Sequence, residues 1–355
     1  MGDIQTGIDT FCCYCVLTER QKSKLIDALK HKPGFYKLKD DYWDCSASLT
    51  STCFIDQGIK LSIFRTDGGP WGAFVIVHPA LVLGARDRSM LYLPEYKRDY
   101  KQIVKRVDGL LSTVHIPYSL NHMKLSRIDV TANIVFDDKD MVEQYLHVLK
   151  KGCLLPHYHL EQFSQYGRKA RDWKEANQHS YKQSCKSASF FAYDKTAQLK
   201  MIDKFPETLC GKHILRLEAQ LRRKAVKRWV PKDKWGDNWR ELQDLGQSAA
   251  KVLYWYLKRI QPVQAPCVRY AAAVTQIETV KNKKIRERML YLLRKTSDSK
   301  HLTSAMKKLK QEFGLNDKQV KHILEKFHKL GINPIALPNS SNQPPMLAIN
   351  QLLYI

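Results

Sequence analysis

The chain has 355 residues and is 44% hydrophobic, enough to fill ordinary cores in two domains. Its formal net charge of +24 exceeds what solubility needs and points to a polyanionic partner, with nucleic acid the first candidate and a membrane surface the second. The membrane is set aside because basic residues are spread along the whole chain, no apolar run approaches the ~20 residues of a span, and Met1-Gly2-Asp3-Ile4 lacks the regions of a signal peptide, so a cytoplasmic protein is expected.

In chain order, the cysteines come first. There are nine, an odd number, in a chain large enough to need no staples. Cys12, Cys13 and Cys15 form the one cluster but lack the Cys-x-x-Cys spacing of a zinc site, so reduced thiols are expected. From Cys45 to about Val77, short β-rich runs such as Lys60–Phe64 and Trp71–Val77 are split by Asp67-Gly-Gly-Pro70, which predicts a strand pair around a turn. Apolar residues at helical spacing, Ile103, Val107, Leu110 and Leu111, predict a helix between Pro94 and about Val114.

A strand from Leu125 to Val135 follows, then a helix opened by Asp137 or Asp138 with the stripe Met141, Val142, Tyr145, Leu146 and Leu149. Lys151 to Lys182 is rich in histidine, basic and aromatic residues without a clear period and reads as a long loop. Strands resume at Ala188 to Asp194 and His213 to Arg222, with Gly211 in the turn region between them. Beyond Pro231 the period is helical, through Trp239 to Ile260, Lys283 to Lys295, Leu302 to Phe313 and Asp317 to Leu330, before a Pro/Asn/Ser segment, Pro334 to Pro345, that is expected to be loose. The fold class is therefore α+β: an antiparallel sheet with helices on one face over residues 1–230, followed by an α-helical domain over 231–355 that binds DNA or a partner.

Three strands alternate between an apolar and a polar face. Ile128, Val130, Ala132 and Ile134 oppose Arg127, Asp129, Thr131 and Asn133; Leu215, Leu217, Ala219 and Leu221 oppose Arg216, Glu218, Gln220 and Arg222. Tyr193 is in register with Ser187, Ser189 and Lys195. If the apolar faces share one helix layer, Asp129, Glu218, Tyr193 and Lys195 converge on the open side. Two carboxylates on neighbouring strands suit a hard divalent cation, Mg²⁺ or Mn²⁺, and a tyrosine beside it can attack a phosphate whose developing charge the metal and Lys195 stabilise. Solvated charges on an exposed sheet face account for the same residues taken one strand at a time.

Leu125-Ser-Arg-Ile-Asp-Val-Thr131, Phe191-Ala-Tyr-Asp-Lys195 and Leu215-Arg-Leu-Glu-Ala-Gln220 resemble the successive motifs of the gene II family of filamentous-phage replication proteins. They are also similar to those of the trans-acting initiators of rolling-circle plasmids. The resemblance covers about Leu125 to Trp229. Val77-His-Pro-Ala-Leu-Val-Leu-Gly84 is similar to a further family stretch, with Leu81 in place of its lysine. The resemblance implies a rolling-circle initiator that nicks one strand at a replication origin, keeps the 5′ end as a phosphotyrosine, leaves a 3′-hydroxyl and later rejoins the strand. It carries Tyr193 over as nucleophile, Lys195 as a phosphate-side cation, and Asp129 and Glu218 as ligands of Mg²⁺ or Mn²⁺. Origin DNA, single-stranded or supercoiled, is the implied partner, with a host helicase and polymerase beside it.

DNA contacts are expected from Arg127 and Arg216 on the motif strands and from Arg168, Lys169, Arg171, Trp173 and Lys182, where aromatic and basic residues interleave as in single-strand binders. Arg222, Arg223, Lys224 and Arg228 form a second basic patch that suits backbone contacts. His157-Tyr158-His159 is only a weak match to a His-hydrophobe-His metal motif. Leu302–Phe313 and Asp317–Leu330 flank Gly314-Leu-Asn316 with helix-turn-helix spacing, a pattern any helical hairpin shares. The rival readings are a non-catalytic origin or operator DNA-binding regulator and an RNA-binding sheet protein, the latter disfavoured by the few aromatics on the strands' polar faces.

Overall fold

The computed structural model describes residues 3–37, 45–66, 69–161, 177–341 and 344–354. The long strand β1 (Ile4–Leu17) leads into α1 (Glu19–Leu29), which opens on a capping box between Thr18 and Gln21. Strands β2 (Phe35–Lys37), β3 (Cys45–Ser51), β4 (Ile59–Thr66) and β5 (Trp71–Val77) follow, then the short α2 (Pro79–Val82) and α3 (Lys97–Ser112). The second long strand, β6 (Lys124–Phe136), leads into α4 (Lys139–Lys151), capped by Asp138. Then come β7 (His159–Leu160), β8 (Ser180–Ser184), β9 (Ala188–Asp194), α5 (Lys195–Met201) and β10 (His213–Arg222). Helices complete the chain: α6 (Arg223–Trp229), α7 (Asn238–Gln247), α8 (Ala249–Ile260), α9 (Tyr270–Glu278), α10 (Lys283–Asp298), α11 (Leu302–Phe313) and α12 (Asp317–Lys329). The architecture is α+β with antiparallel strands, and no helix among the described residues is long and apolar enough to cross a membrane.

The chain forms two compact units, and three strands, β1, β6 and β10, contribute residues to both. One unit comprises Gln5–Ala132 and Glu218–Ala249. Its sheet runs β2-β3-β4-β5-β1-β6. The β4–β5 hairpin sets Arg65 against Trp71 and Leu61 against Val75, as expected, with Asp67 and Gly68 of the turn outside the described residues. Phe11, Val75, Val77, Ile128 and Val130 are buried, as are Ile103, Val107 and Leu111 of α3. Asn238 at the start of α7 is also buried and donates from its amide nitrogen to the carbonyls of Leu120 (3.2 Å) and Met123 (3.0 Å), tying the helix to the turn before β6.

The other unit comprises Met1–Ile4, Asn133–Leu217 and Ala250–Ile355. There β10 is followed in the sheet by β9, β8 and β7. Ala188, Phe190 and Ala192 of β9 and Tyr181 of β8 are buried, and the Phe190 ring stacks on Tyr256 of α8 at 5.5 Å. The segment expected to be a long loop thus contains two short strands, because Tyr181 and Gln183 alternate inward over a run too brief to show a period. Within the C-terminal segment expected to be loose, Leu337 donates to the Val268 carbonyl (2.8 Å), and just beyond that segment Met346 and Cys267 exchange two backbone bonds (3.0 and 2.8 Å).

Candidate functional site

The alternation of β6 and β10 is as expected on the apolar side: Ile128, Val130, Ala132, Ile134, Leu215, Leu217, Ala219 and Leu221 are all buried. The polar side differs from expectation over its middle, which is buried rather than open, while Arg127, Gln220 and Arg222 are half-buried. Asp129 is 3% exposed, Thr131 0%, Asn133 3%, Arg216 0% and Glu218 9%. Polar groups removed from water must be paired or neutralised, so this band is costly unless its partners satisfy it.

In the unit that holds Asp129, the carboxylate is only half satisfied. Its Oδ2 accepts from Arg127 Nη2 at 3.0 Å and from the Thr10 hydroxyl on β1, and Arg127 also donates to Thr10 Oγ1 at 3.2 Å. Its Oδ1 is buried with no hydrogen-bond partner among the described residues. Burial pushes the Asp129 carboxyl above its ordinary value, and Asp9 pushes it further, against the pull of Arg127 and Thr10. Burial works against the charge of Arg127 as well, yet Asp129, Cys12 and Glu218 hold its guanidinium above its usual value. Arg127, expected to contact DNA, serves the Asp129 carboxylate directly.

Two residues of the same unit extend this cluster. Asp9 lies on β1, and its Oδ1 is 3.4 Å from His78 Nε2, where β5 ends. Both ring nitrogens of His78 are buried without a hydrogen-bond partner among the described residues. Its backbone is held by donation to Gly58 O at 2.7 Å. Gly58 (φ 80°) has no room for a side chain, since a Cβ there would come within 2.8 Å of the His78 carbonyl oxygen and 2.9 Å of Leu81 Cβ. Asp129, Glu218, Asp9 and His78 offer the oxygen-rich donor set a hard divalent cation takes, and an orphaned buried carboxylate oxygen is what such an ion would satisfy. Among the described residues, however, no three His, Cys, Asp or Glu side chains are gathered tightly enough to hold an ion.

Tyr193 and Lys195 belong to the other unit. Tyr193 pairs with Ser180 across the β8–β9 ladder, and its half-buried side chain is on the face opposite Phe190 and Ala192. On that face, Lys182 pairs with Phe191 in register, its ammonium lies 5.0 Å from the Phe191 ring centre, and it is ion-paired to Glu161, which also accepts from Ser184. Lys195 does not continue the strand as expected. The Asp194 carboxylate accepts from the Ala197 amide (2.8 Å) and starts α5, so Lys195 sits in its first turn, buried, with its amine donating to Gln198 Oε1 at 2.9 Å. A cleft of about 480 Å³ opens beside this turn, lined by Lys139, His179, Asp194, Lys200 and His213 among others.

Arg216 is fully buried and donates from Nε to Asn133 Oδ1 at 2.8 Å, so it is an internal group of the sheet. Of the second basic patch, Arg222 ends β10, while Lys224 and Arg228 are exposed on α6. Arg223 is committed elsewhere: both its terminal nitrogens engage the buried Glu241 carboxylate, one at 2.8 Å. Arg168, Lys169, Arg171 and Trp173 lie outside the described residues. Tyr158, between the two histidines of the weak metal match, places its hydroxyl 3.3 Å from that of Tyr256, and His159 lies 3.2 Å from Glu161. Cys12, Cys13 and Cys15 are buried on β1, where burial raises the thiols, that of Cys15 to about 11. Comparison of the sequence with protein-family models and with curated proteins gives no match.

Proposed function

We propose that this protein is a rolling-circle replication initiator that nicks and rejoins one DNA strand through Tyr193, on a Rep-like α+β body. The observation that carries the reading is Asp129, a desolvated carboxylate in the middle of the Arg-Ile-Asp strand with one oxygen left without a donor and Asp9 and His78 in the same unit. A fold that keeps an ionisable group at such cost has a use for it, and a divalent cation is the compensation that fits carboxylates. The charge of +24 supplies the attraction for DNA.

In the reaction, the Tyr193 phenolic oxygen attacks a backbone phosphorus as its proton is lost. The new O–P bond forms as the bond to the 3′ oxygen breaks, and that oxygen leaves as a 3′-hydroxyl once protonated. Resealing is the reverse attack by a 3′-hydroxyl, so bond energy is conserved in the phosphotyrosine and no nucleotide cofactor is consumed. Mg²⁺ or Mn²⁺, when bound, polarises the phosphate and stabilises its developing charge. Asp129 and Glu218 are the carboxylates the motif strands put forward for it, and Arg127 would keep Asp129 oriented. Lys182 and Lys195 are the cations in Tyr193's own unit suited to the phosphate side, and the cleft beside α5, with its lysines and histidines, suits the backbone of the bound strand.

The experiment is a nicking assay on supercoiled and single-stranded DNA carrying candidate origins, with Mn²⁺ or Mg²⁺. Wild-type protein nicks in a metal-dependent way, and Asp129→Asn loses at least a hundredfold in rate. Nicking that is undiminished in Asp129→Asn would overturn the metal assignment, and binding without any nicking would favour a non-catalytic origin- or operator-binding regulator.

A further inference from the structure

We infer that the last three helices of the chain, α10, α11 and α12, form a duplex-DNA reader whose α12 enters the major groove. This does not rest on Tyr193 or on a metal, and it assigns a second DNA contact with a different form of DNA.

The three helices pack on one another around a small core of their own. Met289, Leu292 and Leu293 of α10, Leu302, Ala305 and Leu309 of α11, and Val320, Ile323 and Phe327 of α12 are all buried. The turn between α11 and α12 is tight: Gly314 is left-handed (φ 60°), and its amide caps α11 by donating to the Lys310 carbonyl. Leu315 is buried beneath the turn, and Asn316 and Gln319 close a capping box on α12. A glycine turn, then buried Val320, Ile323 and Phe327, leaves the opposite face of the second helix outward, which is the helix-turn-helix arrangement.

That outward face carries Lys318, Lys321, His322, Glu325 and Lys329, all exposed. No Phe, Tyr or Trp lies on it, since Phe327 is the one such residue of α12 and it is fully buried. The nearby aromatics pair with each other: half-exposed Tyr291 and Phe313 meet edge-on at 5.3 Å, flanked by Arg288, Arg294 and Lys295. With His322 as the one ring among its residues, the outward face offers no row of Phe, Tyr or Trp on which successive bases of a single strand could stack. It can reach hydrogen-bonding groups on base edges in the ~12 Å major groove, which admits a helix, whereas the deep, narrow groove of RNA duplexes does not. Glu325, 3.9 Å from His322 and 4.0 Å from Lys321, is suited to accept from a cytosine amine. Residues 281–330 hold fifteen Lys and Arg against five Asp and Glu, a surplus of ten out of the chain's net +24. With exposed Lys307 on α11 and Lys283 and Lys284 on α10, the charge complements phosphates on either side of the groove.

The test uses the full chain. A random library of ~30-bp duplexes, long enough to span two or more helical turns, is selected for binding, and dissociation constants are measured by fluorescence anisotropy on the enriched duplex and on one of its single strands. Lys318→Ala/Lys321→Ala/His322→Ala is expected to lose at least thirtyfold on the duplex and less than threefold on the single strand, and to lower the salt slope by about two. Lys283→Ala/Lys284→Ala removes the same lysine charge from α10 and is expected to lose less than fivefold. Failure to enrich any duplex sequence overturns the inference. So does a triple variant that binds duplex like wild type, the outcome if α12 docks an acidic protein instead, or one that loses single-strand binding equally. Equal loss in the α10 variant also overturns it, because charge alone would then carry the binding.

Discussion

Replacing Arg223 by alanine separates two accounts of the basic stretch after β10. Glu241 is fully buried, and its carboxylate accepts from both terminal nitrogens of Arg223 and from the Gly236 amide at 2.9 Å. Arg223→Ala leaves that carboxylate out of water with the Gly236 amide as its remaining donor of the three. Removing one partner of a fully buried pair costs ~3–5 kcal/mol. The Arg223 side chain is 35% exposed, so water replaces part of what is lost, and ~2–3 kcal/mol is the fitting figure. At roughly 2–4 °C per kcal/mol for a domain of this size, the melting temperature of the full chain, followed by circular dichroism, should fall by about 4–12 °C. Adding Glu241→Gln removes the stranded charge and should return about a third of the loss or more. A variant that melts within ~1 °C of wild type while losing DNA affinity would refute the structural assignment and restore Arg223 to the DNA surface.

Two further outcomes follow from single sites. Burial and Asp9 raise the folded-state pKa of Asp129, so its ionised form destabilises the fold. Stability from this residue is complete below its unfolded pKa and is lost as pH rises through the raised folded value. Without metal, Asp129→Asn, which keeps an oxygen facing Arg127 and Thr10, should therefore melt higher than wild type at pH 7 and converge with it below about pH 4, and Mn²⁺ should raise the wild-type melting temperature alone. A wild-type protein that is the more stable of the two at pH 7 without metal contradicts this. At the α11–α12 turn, Gly314→Val places a branched residue at φ 60° and should cost ~1–2 kcal/mol by denaturant titration, with duplex affinity falling in step. An unchanged midpoint would show that the turn relaxes freely.

The parts of the fold that were legible in the sequence are those with an unbroken period. β9 and β10 occupy the ranges their alternation predicts, Ala188–Asp194 and His213–Arg222, and α11 occupies Leu302–Phe313. β1 was not legible, although it is the longest strand described: Phe11, Cys12 and Cys13 are consecutive buried residues, so both faces are covered and no alternation survives. With β1 unread, Asp9 and Thr10 could not be placed beside Asp129, because their contact spans about 120 residues. Lys195 was misplaced by a local rule that outweighed the strand pattern: Asp194, three residues before Ala197, captures that residue's amide and begins a helix. The buried state of the polar face was equally hidden, since the sequence shows which residues share a face but not what covers it. Arg223 illustrates the same gap, its carboxylate lying eighteen residues later on α7.

The central claim is that one tyrosine becomes covalently joined to DNA. Wild-type protein is incubated with Mn²⁺ and an origin-bearing single strand, the adduct is digested with nuclease and trypsin, and the nucleotide-bearing peptide is sequenced by mass spectrometry. The account predicts a single modified peptide, residues 187–195, with the nucleotide on Tyr193 and no adduct from Tyr193→Phe. A nucleotide on any other side chain, or an adduct that persists in Tyr193→Phe, would contradict it.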